Sequence, residues 1–152
     1  MAKHNYDICI IGAGAGGLSV AAGACQFGIK VALIEGHNMG GDCLNYGCVP
    51  SKALLSSAKH YHAIKESAKF GFSAQAQPVI IKQVMAKVQE VIAQIAPHDS
   101  VERFTQLGAT VYRGYGSFVD EQSVKIDDDI ISAKYFIIAT GSSPVVPPIA
   151  GL

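Results

Sequence analysis

The spacing of apolar residues switches period several times along this chain, and the order of the switches predicts an α/β fold. Tyr6 to Ile11 is apolar with little alternation, the pattern of a strand buried on both faces in a parallel sheet. A glycine turn follows, then a helix of small residues ending near Gly28, then a second apolar strand from Lys30 to Ile34 closed by Glu35. Lys52 to Phe70 carries apolar positions at helical spacing, Gly71 to Pro78 reads as a loop, and a long helical pattern runs from Val79 to Ile95. Pro97 interrupts that pattern, which resumes in DSVERFTQLG with Asp99 or Ser100 as the cap. From Ala109 the period falls to two, so ATVYRGYGSFV, SVKI and DDIISAK predict a small meander of short strands. KYFIIATGSSP then reads as a buried strand ending at Thr140-Gly141, and PVVPPIAGL as a stiff proline-rich connector at a domain edge.

Three glycines punctuate the first turn. Gly12, Gly14 and Gly17 make a G-x-G-x-x-G pattern between strand and helix. The first permits a tight turn, the second admits a pyrophosphate against the backbone, and the third lets the helix pack close to the strand. Phosphates would sit at the helix N-terminus. Glu35, at the end of the second strand, is placed to accept hydrogen bonds from a ribose diol, and its charge argues against a 2′-phosphate.

The densest chemistry lies in GGDCLNYGCVPSK, from Gly40 to Lys52. Cys43 and Cys48 are close enough in sequence to bridge, on a loop that opens a helix, where a helix N-terminus and a nearby cation favour the thiolate. A zinc site would need two more ligands, and Cys9 lies in an apolar strand and Cys25 in an apolar helix. A redox pair is therefore expected. His60 and His62 fall on different sides of their helix, and Asp127 to Asp129 reads as a solvated turn; neither group predicts a metal site.

Composition narrows the class. With 152 residues, 49% of them hydrophobic and 16% charged, the chain can bury one sizeable core. Its formal net charge is zero, which recommends neither a nucleic acid nor an anionic membrane as partner. The apolar stretch from Ile8 to Cys25 is broken by glycines and follows Asp7, so it reads as core rather than as a signal or membrane span. A cytoplasmic location is expected, where a bridging cysteine pair is catalytic rather than structural.

Taken together, GAGAGG, VALIEG, GGDCLNYGCVPSKALL and FIIATGSSP resemble the FAD-binding portion of the pyridine nucleotide-disulfide oxidoreductases, over nearly the whole chain. PHDSVERFTQLG and VVPPIAGL are most similar to the dihydrolipoamide dehydrogenase and mercuric reductase branches. The resemblance implies a Rossmann-like FAD-binding domain over residues 1–152. It also implies electron flow from NAD(P)H through FAD to the Cys43–Cys48 disulfide, and on to a small-molecule or disulfide substrate. Cys48 would be the thiol next to the flavin, Cys43 the interchange thiol, and Lys52 a cation near the reactive edge of the ring. Gly12, Gly14, Ala15, Gly16 and Gly17 would underlie the pyrophosphate, and Glu35 with Gly36 would hold the adenosine ribose. Gly40, Gly41 and Asp42, beside Cys43 and Lys52, would line the ribityl region, Gly116 the adenine, and Thr140, Gly141 and Ser142 the second side of the cofactor. Asp42 stands where the family usually has threonine and Tyr46 where it has a small aliphatic residue, which leaves the substrate open. Nicotinamide and dimerisation domains are not among these residues. The expectation is therefore the first portion of a longer, homodimeric enzyme, unable to turn over alone. The competing readings are a stand-alone nucleotide-binding module without catalysis and a metal-binding protein.

Overall fold

A computed structural model describes residues 2–143 and 145–151. Pro144 and Leu152 of the proline-rich exit, and Met1, lie outside the described residues. Six strands form one sheet: β1 (Ala2–Ile11), β2 (Val31–Glu35), β3 (Thr110–Arg113), β4 (Ser117–Asp120), β5 (Ser123–Ile126) and β6 (Asp129–Ile138), in the order β3-β2-β1-β6-β5-β4. The first three strands and β6 run parallel, while β5 and β4 add an antiparallel edge. The helices are α1 (Ala15–Gln26), α2 (Gly41–Asn45), α3 (Cys48–Lys65), α4 (Ile81–Ile95) and α5 (Val101–Gln106).

The α/β reading is borne out, and so is α1 as a helix of small residues between two parallel strands. Its Gly17, Leu18, Ala21 and Ala24 are buried, and they pack with Ile10, Val31, Leu33 and Phe104 on one face of the sheet. A second cluster gathers Tyr6, Cys9, Ile34, Val124, Ile126 and Ile131 on the other. The central strand β2 and the end of β1 are thus covered on both faces, which accounts for the apolar runs VALI and ICII. Ser100 supplies the expected cap, its Oγ accepting from the Arg103 N–H at 3.2 Å. Asp127, at φ 47°, sits in the tight turn joining β5 to β6.

Several expectations need correction. ATVYRGYGSFV is two strands, because Gly114, at φ 144°, breaks the run; β3 leaves the meander and pairs parallel with β2 at the sheet edge. DDIISAK and KYFIIATGSSP are one continuous strand, β6, which pairs parallel with β1 along one side and antiparallel with β5 along the other. It ends at Ile138, and its last part is not buried: Tyr135 and Ile138 are 68% and 70% exposed. The cysteine motif opens two helices, with Cys43 inside α2 and Cys48 starting α3. The helix expected from Lys52 to Phe70 stops at Lys65 and tightens into a 3₁₀ turn at Ser67–Phe70, and the one expected from Val79 starts at Ile81. No helix among the described residues is long and apolar enough to cross a membrane.

Candidate active site

The C-terminal ends of β1, β2, β3 and β6 converge on a cleft of about 650 Å³. Such a crevice at the carboxyl ends of parallel strands is where open α/β sheets bind ligands. Gly12, Gly14, Glu35, Gly36, Gly41, Asp42, Gly116, Thr140, Gly141 and Ser142 all line it. Ala15 and Gly16 stand exposed in the first turn of α1, Gly17 is buried beneath that turn, and Gly40 is buried at the start of α2. The opposite end of the sheet borders an open depression of about 860 Å³ lined by Lys3, Asn5, Tyr6 and Ser123 among others, with no glycine turn and no cysteine.

The floor of the cleft is backbone packed on backbone. Gly12 adopts φ 106°, and a β-carbon there would fall 2.2 Å from the Ala139 oxygen just past β6. Its N–H donates to the Ile34 carbonyl at 2.8 Å, while the Ala139 N–H donates to Ile11 at 2.8 Å, so the turn is stitched to both neighbouring strands. The Gly40 N–H donates to the Ala13 carbonyl at 2.9 Å, and a β-carbon on Gly41 would stand 2.7 Å from the Gly14 Cα. The cysteine motif is thereby clamped onto the glycine turn. Asn45 secures it from within, donating through Nδ2 to the carbonyls of Met39 at 3.1 Å and Gly41 at 2.8 Å.

Glu35 is buried at 8% exposure, yet it faces the cleft. Its Oε2 accepts from the Ala13 N–H and its Oε1 from the His37 N–H, both at 2.6 Å. Each oxygen keeps a further lone pair for a ligand hydroxyl. The carboxylate therefore also ties the glycine turn to the loop after β2, a structural task that the motif alone did not reveal. Glu35→Arg should weaken dinucleotide binding by about 2–3 kcal/mol through loss of a charge-assisted contact. It should also lower the stability of the ligand-free protein, because two backbone donors lose their acceptor. Calorimetric titration with FAD beside thermal unfolding reads both; wild-type affinity in the variant would remove Glu35 from the site.

Cys43 and Cys48 are neighbours. The two thiols are free. The neighbouring Cys48 thiol as a hydrogen-bonding group, then burial, then the charge of Cys48, hold the Cys43 thiol above the ordinary value, while the Lys52 ammonium pulls it the other way. The expectation of a thiolate favoured by helix end and cation is thus corrected for Cys43 in the dithiol state, where the neighbouring Cys48 and burial outweigh the pull of the Lys52 charge. Burial pushes the Cys9 thiol up to about 12 and raises that of Cys25, leaving both away from this chemistry.

Several cleft residues escaped the sequence reading, His37, Asn38, Gly114, Tyr115 and Ser143, and Tyr46, noted there only as a departure from the family, joins them in the lining. Tyr46, between the two cysteines, accepts from Asn38 Nδ2 through its phenol oxygen at 3.1 Å. The available signal was positional, because each of these residues follows a strand end or lies in the cysteine loop, and strand ends build such crevices.

A glycine-floored crevice at the carboxyl ends of parallel strands thus has Asp42 and Tyr46 of the cysteine motif in its lining, while Cys43, Cys48 and Lys52 stand outside that lining, on the two helices that follow Gly40. Over residues 6–152 the chain matches the family described as pyridine nucleotide-disulphide oxidoreductase, and it belongs to that family. It is 35% identical to the mercuric reductase of Lysinibacillus sphaericus over 99% of this chain and 28% of that protein. It is 38% identical to the dihydrolipoyl dehydrogenase of Acholeplasma laidlawii over 99% of this chain and 45% of that protein. Among solved structures, the Cu(II) complex of the HOCl-induced flavoprotein disulfide reductase RclA from Escherichia coli matches with a TM-score of 0.75 at 26% identity. That match covers 95% of this chain and 30% of the other. The chain thus spans less than half the length of these relatives, which are oxidoreductases. Family and neighbour together imply a flavin.

Proposed function

We propose that the whole protein is an FAD-dependent NAD(P)H:disulfide oxidoreductase of the dihydrolipoamide dehydrogenase or mercuric reductase type, with Cys43 and Cys48 as its redox pair. The observation that carries this reading is the placement of Cys43 and Cys48 on two successive helices, the first of them clamped to the glycine turn that floors the cleft. FAD fits the residues present: close backbone packing leaves room for a pyrophosphate at the glycine turn, Glu35 offers acceptors to a ribose, and Asp42 and Tyr46, beside and between the two cysteines, line the cleft. When bound, FAD would supply two-electron transfer between a nicotinamide and the disulfide. The balance is NAD(P)H plus a proton plus the Cys43–Cys48 disulfide giving NAD(P)⁺ and two thiols. Cys43 would then attack a substrate disulfide as the interchange thiol, breaking its S–S bond to form a mixed disulfide and release one substrate thiol, and Cys48 would attack the Cys43 sulfur, releasing the second substrate thiol and re-forming the Cys43–Cys48 disulfide. Lys52, whose charge favours the Cys43 thiolate, would assist the attack. The Asn38–Tyr46 hydrogen bond holds the loop between the cysteines against the ribose end of the cleft.

Thiol counting tests the proposal. The oxidised protein, denatured, should show Cys9 and Cys25 free within this region and Cys43 and Cys48 protected. Anaerobic NADH or NADPH should expose both protected thiols before denaturation. Protection that a nicotinamide does not relieve would favour a nucleotide-binding module without catalysis, and four free thiols in the oxidised protein would sink the disulfide.

A further inference from the structure

Asp42 and Tyr46 line the cleft without a part in the thiol chemistry above. At both positions the chain departs from the residue the family usually has. The Tyr46 N–H donates to the Asp42 carbonyl at 2.9 Å, so the two residues stand one helical turn apart on the same side of α2. Gly41, next to Asp42, lies against the glycine turn, where its β-carbon would stand 2.7 Å from the Gly14 Cα. The cleft lining from Gly41 to Tyr46 contains only two side chains, a carboxylate and a phenol. An ionised carboxylate can only accept hydrogen bonds, whereas a phenol also donates one. The Tyr46 oxygen accepts from Asn38 Nδ2 at 3.1 Å, which occupies a lone pair and leaves the phenol proton to be given elsewhere. The ring is 63% exposed, so a ligand in the cleft can reach that proton.

We propose that Asp42 and Tyr46 are a matched pair: Tyr46 donates its phenol proton to the phosphates of the bound dinucleotide and offsets the repulsion that Asp42 brings to them. The inference rests on the dinucleotide reading above and deepens it with a contact that the glycine turn does not supply. Phosphates at the N-terminus of α1 lie at the glycine turn, and Gly41 brings Asp42 to the same place. A carboxylate and a phosphate repel at such range, so this stretch of lining weakens the ligand unless it also carries a donor. Tyr46 is that donor. Asn38 orients it, because a hydroxyl with one lone pair engaged turns its hydrogen away from the group that engages it.

The test uses the whole protein stripped of flavin and titrated with FAD and ADP, with adenosine measured by competition. Tyr46→Phe keeps the ring and loses the proton. It should weaken FAD and ADP about tenfold, the loss of one hydrogen bond to a charged acceptor, and leave adenosine, which has no phosphate, unchanged. Asp42→Asn should tighten both phosphate ligands, and added to Tyr46→Phe it should restore most of the lost affinity, because an amide returns a donor and removes the repulsion. A Tyr46 that merely shapes the cleft would lower adenosine and ADP binding alike and would not be rescued at position 42; either result would overturn the proposal. Wild-type affinity of Tyr46→Phe for FAD and ADP would overturn it while leaving the dinucleotide reading intact. A wild-type protein that binds neither FAD nor ADP would overturn both.

Discussion

Cys43→Ser and Cys48→Ser, made in the whole protein, should each remove disulfide reduction, by on the order of 10³-fold or more, and should do so with opposite signatures. One sulfur cannot form the bridge that stores two electrons, so turnover fails either way. With Cys43 replaced, the Cys48 thiolate remains beside the oxidised flavin, and a long-wavelength absorbance should appear without any reductant. With Cys48 replaced, that band should be absent and Cys43 should be open to alkylation. The structure adds a pH direction. Cys43 is held protonated chiefly by the neighbouring Cys48 thiol as a hydrogen-bonding group, with burial and the charge of Cys48 adding to the effect. Removing Cys48 takes away the first and third causes and leaves Lys52 acting to favour the thiolate. Alkylation of Cys43 in the Cys48→Ser variant should therefore move to lower pH than in the reduced wild type, and Lys52→Met should move it back up. Bands of equal strength in the two serine variants would mean that the roles of the cysteines are misassigned.

Gly17→Ala should destabilise the fold by about 2–3 kcal/mol, although alanine is the better helix former by about 1 kcal/mol. A β-carbon at Gly17 would stand 1.8 Å from the Gly12 carbonyl oxygen and 3.0 Å from its carbon. Those are backbone atoms of the turn that Ile34 and Ala139 hold in place, so relief requires α1 to lift from β1 and widen the cleft floor. Gly23 in the same helix is the control. Nothing lies within 4 Å of its β-carbon position, and Gly23→Ala should stabilise by about 0.5–1 kcal/mol. Urea unfolding of both variants reads the contrast, and equal shifts of the same sign would mean that the close approach of helix to turn carries no weight.

The amino-acid sequence by itself determined the α/β class, the glycine turn between β1 and α1, the acid closing β2 and the cysteine pair, because each is written in adjacent residues. An apolar strand end, a small-residue helix and a G-x-G-x-x-G turn follow from local sterics, and the structure places them in that order, with β1 extended back from the expected Tyr6 to Ala2. Sheet order was beyond that reach. Whether Thr110–Arg113 pairs with the residues that follow it or with β2 turns on a parallel register between segments 78 residues apart, and hydrophobic period is the same in both arrangements. For the same reason the join between DDIISAK and KYFIIATGSSP was invisible: one strand keeps β1 along its whole length while its pairing with β5 stops at Ser132, without changing its own pattern. Tertiary structure alone also decided the state of Cys43, since a helix end and a lysine can be read from sequence but the effect of the neighbouring Cys48 cannot. It alone placed Tyr46 and Tyr115 in the cleft, because a loop residue's surroundings are set by the strands that happen to end beside it.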